Sequence, residues 1–119
     1  LYRAQSDVIK DFASQSPCVI VGRSADYVLR NHPCLISVFI HASEEACIAR
    51  ILKRGDCKTN EEALEMAEKK NKLRSNYYNF YTDKKWGDAS SYDLCIDSSK
   101  LPNELVADII VEYVKKRIA

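Results

Sequence analysis

Arginines at three places in this sequence have the surroundings that phosphate chemistry needs. In Val21-Gly22-Arg23-Ser24-Ala25-Asp26, a guanidinium follows directly on the apolar run Cys18-Val19-Ile20-Val21. A glycine after a buried strand lets the backbone turn tightly, so Arg23 projects from a strand end. Its planar fork can donate two parallel hydrogen bonds to a phosphate. Pairing with a nearby carboxylate is the ordinary alternative. Farther along, Arg50, Lys53 and Arg54 share one face of a helix whose other face carries Cys47, Ile48, Ile51 and Leu52. A basic stripe is commonly just a solvated face. Here Gly55-Asp56-Cys57-Lys58 follows as a loop between two helices, and a mobile helical hairpin bearing arginines is a common means of closing over a phosphoryl substrate.

The third place is NKLRSNYYNFYTDKKWGD, residues 71–88. On a helical wheel over residues 60–82, Leu64, Met66, Ala67, Leu73, Tyr77, Tyr78 and Tyr81 fall on one broad arc. Glu61, Glu65, Glu68, Lys72, Asn76 and Asn79 take the other side. Asn71 and Arg74 fall within the apolar arc, which predicts an inward-facing cation. Such a cation needs an anionic partner, either an internal carboxylate or a substrate phosphate. The tyrosines share their arc with Leu64 and Leu73, which favours packing over an exposed stacking platform for nucleic acid.

Composition narrows the classes further. The 119 residues carry a formal net charge of +1, without the basic excess of a nucleic-acid binder. No apolar run approaches the roughly 18 residues of a membrane span, and the first residues lack a signal-peptide pattern. The five cysteines (Cys18, Cys34, Cys47, Cys57 and Cys95) form no CxxC pair, and there are only two histidines. That set fits a reducing cytoplasm better than disulfides or a metal site, so no metal ligands are assigned.

These residues must be positioned by alternating helices and strands. Helices are expected over about 2–14, 24–30, from Ser43 to Gly55, from the capping signature Thr59-Asn60-Glu61-Glu62 onward, and over 103–117. In the last of these, Val106, Ile109, Ile110, Tyr113 and Val114 keep helical spacing. Short apolar strands are expected at 18–21, 35–40 and 93–96. Short apolar strands between helices predict a parallel sheet covered on both faces, with ligands beyond the carboxyl ends of its strands. Those ends are Gly22-Arg23, His41-Ala42 and Asp97-Ser98-Ser99.

CVIVGRSADYVL, SVFIHASEEACIARI, NKLRSNYYNFYTDKKWGD and YDLCIDSS, in that order, resemble the C-terminal part of the cytidylate kinase-like family. The resemblance covers essentially the whole chain. It implies an α/β protein with a three-layer α/β/α P-loop kinase-type parallel sheet, of which residues 1–119 supply strands three to five and a helical lid over about 44–85. It implies phosphoryl transfer from ATP, with Mg²⁺, to a pyrimidine monophosphate such as CMP or dCMP, in the cytoplasm, with no nucleic-acid or membrane partner. Gly22, Arg23 and Ser24 match the segment that contacts the bound monophosphate. Arg50 matches a lid arginine that meets the transferring phosphate. Asn71 and Arg74 occupy D-x-x-R positions, where the arginine reaches phosphate and the acidic residue reaches the nucleoside. Ser98 and Ser99 match the loop that borders the adenine of ATP.

Departures from cytidylate kinases proper lie at Val21, Ser24, Cys47 and Asn71, where the family pattern has three acidic residues and an arginine. They keep a second reading open, a non-catalytic nucleotide-binding or interaction protein on the same scaffold. The phosphate-cradling motif GxxxxGK[ST] is also absent, since the only glycines are Gly22, Gly55 and Gly87. The resemblance places that motif, the ATP and Mg²⁺ ligands and a central strand upstream of Leu1, and an oligomer or another segment would complete the sheet. Residues 1–119 alone are therefore expected to produce no ADP from ATP and CMP in a coupled assay, and measurable turnover would refute this.

Overall fold

The computed structural model describes residues 1–119. Helices and strands follow in the order α1 (Tyr2–Gln15), α2 (Ala25–Val28), β1 (Val38–His41), α3 (Glu44–Arg54), α4 (Asn60–Tyr81), β2 (Leu94–Asp97) and α5 (Asn103–Ile118). A single 3₁₀ turn covers Ala89–Ser91.

The sheet is parallel and holds two strands, with Val38 opposite Leu94 and His41 opposite Asp97. β1 is shorter than the apolar run 35–40, while β2 keeps its expected four residues one position later, and side chains extend the pairing at both ends. Before β1, Ser37 N–H donates to Asp93 Oδ2 at 2.8 Å, and Asp93 N–H donates to Ser37 Oγ at 3.0 Å. After β2, Ser98 donates to the His41 carbonyl through its N–H at 2.8 Å and its Oγ at 3.0 Å. The ladder is thus closed at each end by a serine.

The expected strand at 18–21 does not form. A strand needs a neighbour for its N–H and C=O groups, and none lies beside this run. Val19 and Val21 are 94% and 88% exposed, while Ile20 between them packs on the cluster of Ile9, Ala25 and Val28. The period-2 alternation of a strand is present without its ladder. The three-stranded expectation is corrected to two strands, and the described residues build a mixed helix and strand fold around a small parallel sheet.

Helix ends follow local chemistry. Ser43 Oγ accepts from Ala46 N–H and Thr59 Oγ1 from Glu62 N–H, each at 3.2 Å, which satisfies free donors at the starts of α3 and α4. Gly55, at φ 80°, ends α3 in the left-handed region. There Gly55 N–H bonds Leu52 O and Asp56 N–H bonds Ile51 O, the paired bonds of a Schellman end. This reverses the chain so that α4 packs back on α3 as a helical hairpin. Ala63, with no exposed surface, and Ile51, at 5%, lie in its interior. The expected helix over 24–30 shrinks to Ala25–Val28, and α5 runs one residue past its expected end.

Only 13 of the 119 residues are buried, and no large side chain is wholly enclosed. So small a core leaves little burial to offset chain entropy. Residues 1–119 in isolation are expected to melt over a broad range and to bind ANS. A sharp calorimetric transition from a monomer would contradict this.

Candidate functional site

A cleft of about 550 Å³ opens at the carboxyl ends of β1 and β2, where the α3–α4 hairpin overhangs the sheet. Arg50 enters it from α3, Asn71 and Arg74 from α4, and Ser98 from the loop after β2. Arg50 and Ser98, 48 positions apart in the sequence, are bonded directly. The guanidinium of Arg50 donates to Ser98 Oγ at 3.1 Å and to the Ser98 carbonyl at 2.6 Å. Ser98 itself is 4% exposed and hangs on the His41 carbonyl. Arg50 is therefore aimed by the strand ends through one buried serine.

Neither cleft arginine is neutralised. The carboxylate pairs in the molecule are Arg54 with Asp56, Lys115 with Glu112 and Arg117 with Asp93. Arg50 meets only neutral oxygens, and Arg74 donates to Asn71 Oδ1 over a long 3.4 Å. Two guanidinium groups facing one concavity without a carboxylate leave unsatisfied positive charge for an anion. Lys53 and Arg54, which share the basic face of α3, do not line the cleft, and Arg54 is held by Asp56 at 3.2 Å.

The expected inward position of Arg74 is corrected. Arg74 and Asn71 are exposed, and Leu73 beside them is 62% exposed. The first half of α4 packs on α3, but the stretch around residue 74 has no layer above it, so the arc is apolar without being buried. Solvent can hydrate Arg74, and its case for an anion rests on the cleft and not on desolvation.

The remaining expected site residues lie elsewhere. Gly22, Arg23 and Ser24 form a turn before α2, with φ of 71°, 60° and 54° in succession. The Ala25 N–H to Gly22 carbonyl bond of 3.2 Å closes it. Left-handed backbone at two non-glycine residues is uncommon and costly. Ser24 Oγ is buried there without a hydrogen-bond partner, and Arg23 is exposed and outside the cleft. Ser99 stands behind the cleft. Its Oγ accepts from Ser43 N–H at 2.7 Å and donates to Asp97 Oδ1 at 2.6 Å, tying the start of α3 to the end of β2. The Ser99 hydroxyl and N–H hold the Asp97 carboxyl below its usual range.

Several lining residues were not singled out from the sequence. Phe39 and His41 alternate onto one face of β1, and Trp86 meets them from the segment after α4. The alternation in Val38-Phe39-Ile40-His41 carries a signal for the first two, since residues i and i+2 share a face. No side-chain cluster of three or more His, Cys, Asp or Glu could hold a metal ion. The two guanidinium groups have the chemistry to hold an anion.

Comparison with known proteins identifies the family. The model of the cytidylate kinase-like family matches residues 1–100, and the chain belongs to that family. A crystal structure of an uncharacterized protein from Eubacterium ventriosum ATCC 27560 is similar at 33% identity and a TM-score of 0.91. The match covers 97% of this chain and 65% of that one, so the chain spans about two thirds of its solved relative's length. Among curated proteins, none matches.

The base of the hairpin is fixed by Tyr78, 4% exposed, whose hydroxyl donates to Asp26 Oδ2 at 2.8 Å. Burial first, and the Asp26 carboxylate second, push the phenol well above its ordinary value. A pKa raised on folding stabilises fully below the unfolded value, near pH 10, and that contribution is lost as pH climbs towards the folded value. Urea denaturation of the protein should therefore show stability falling above about pH 10. A Tyr78→Phe variant should fall less steeply there, and identical slopes would show that Tyr78 is not the group responsible.

Proposed function

We propose that this chain is the C-terminal part of a nucleoside-monophosphate kinase that moves a phosphoryl group from ATP to a pyrimidine monophosphate, CMP or dCMP. One observation carries the reading: Arg50 and Arg74, from the two helices of one hairpin, face the same strand-end cleft with no carboxylate partner. Membership of the cytidylate kinase-like family supports it. In this reading Arg74 orients a phosphate and Arg50 offsets charge that builds on the transferring group. The turn at Gly22, Arg23 and Ser24 receives the acceptor's phosphate, Asn71 lies near the nucleoside, and Ser98 and Ser99 border the adenine. ATP supplies the phosphoryl group, and the P-loop and the Mg²⁺ ligands come from outside these residues, consistent with the shorter span relative to the solved neighbour. A strand from the same source would pair with residues 18–21. No helix is long and apolar enough to cross a membrane.

The second reading, a nucleotide-binding protein without catalysis, draws on Asn71, whose amide stands where the family pattern has a carboxylate. Calorimetry with ATP and CMP, run beside an assay for ADP, separates the two. For the kinase, Arg74→Ala and Arg50→Ala in the full-length protein should each lower kcat by about 10²-fold or more. Unchanged kinetics would reduce both arginines to structural roles.

A further inference from the structure

The kinase reading leaves the aromatic wall of the cleft without a task. Tyr92, Phe39 and His41 form a column of nearly parallel rings. Tyr92 and Phe39 have centroids 4.8 Å apart at 19°, and Phe39 and His41 are 5.8 Å apart at 20°. Trp86 meets Phe39 edge-on at 5.2 Å and 89°. The inner end of the column rests near buried Tyr78, whose ring lies 6.3 Å from that of Tyr92. The outer end is His41, exposed at the close of β1 and lining the same cleft as Arg50 and Arg74. Its carbonyl is held by Ser98, which bonds it through both N–H and Oγ.

An aromatic stack that ends exposed beside two unpaired guanidinium groups has the two chemistries of a nucleotide side by side. We propose that a nucleobase caps this column on the His41 ring while its phosphates engage Arg50 and Arg74. Any base presents a planar π-face, so stacking selects nucleotides over sugar phosphates without dictating which base. The cleft volume of about 550 Å³ suits a ligand of that size. The inference rests on the phosphate reading of the two arginines and adds His41 as the residue that recognises the base.

The test compares each nucleotide with its base-free counterpart on the full-length protein. Calorimetry gives the affinity ratio of CMP to ribose 5-phosphate and of ATP to tripolyphosphate. In at least one pair the nucleotide should bind about tenfold tighter. His41→Ala should bring that ratio close to one, and His41→Phe, which keeps a ring, should restore most of it. Arg74→Ala should weaken both members of the pair alike. Trp86 is the sole tryptophan, so in the wild type its fluorescence should respond to the nucleotide and not to the base-free ligand, a readout that stands whether or not the variants fold. Ratios near one in the wild type, or a ratio that survives His41→Ala, overturn the stacking while leaving the phosphate site standing. Failure of all four ligands to bind overturns the phosphate reading and the stacking together.

Discussion

Everything that the cleft positions depends on a parallel ladder of four residue pairs, Val38 to His41 against Leu94 to Asp97. Two strands this short are weak alone, and the serines at their ends extend the pairing beyond the backbone. Ser37 and Asp93 exchange hydrogen bonds at one end, and Ser98 locks onto His41 at the other. Arg117, near the end of α5, reinforces the first end by reaching Asp93 at 3.5 Å. The consequence is functional. Because Ser98 also receives Arg50, the ladder fixes the direction of a cation on a different element.

A second coupling joins the hairpin to the amino-terminal helices. Tyr78 reaches Asp26 in α2, and Tyr77 donates to Gln5 in α1 at 3.1 Å. Tyr81 stacks on Tyr2, with centroids 4.2 Å apart. The tyrosines of the 77–81 stretch therefore serve as the dock between α4 and α1, and an exposed platform for nucleic acid would have left them unpartnered. Asp26 lies two residues past Ser24, so one partly buried hydrogen bond links the turn carrying Arg23 to the base of the hairpin. A movement of the hairpin about this base would swing Arg50 and Arg74 while leaving that turn in place.

Features set by local chemistry were readable in advance. Ser43, Thr59 and Gly55 announce the helix ends because a cap is decided within four residues of chain. The stretch 18–21 could not be read in this way. Its apolar alternation states which side chains turn inward, as Ile20 does, but a ladder also requires a neighbouring backbone that no local pattern encodes. Arg74 failed for a related reason. The wheel gives its direction around α4 correctly, yet burial depends on whether another layer covers that arc, and around residue 74 none does. The column ending at His41 was half legible: alternation aligned Phe39 with His41, whereas the approach of Tyr92 and Trp86 from more than forty residues away is a product of the fold.

Asn71 changes what Arg74 can do. A carboxylate three residues before the arginine would sit on the same helical face and neutralise much of its charge. The asparagine oxygen, at 3.4 Å, gives only a weak orienting contact and leaves the full charge directed at the cleft. In the proposed reading, an anion would meet Arg74 without displacing a competing carboxylate, which would favour phosphate. What is lost is an acceptor for the N–H groups of a nucleoside, which an amide oxygen matches only in part. On the proposed reading, the balance of this cleft would therefore shift towards holding phosphate and away from reading base edges, leaving base recognition to faces, the kind of contact that an exposed ring such as His41 can make.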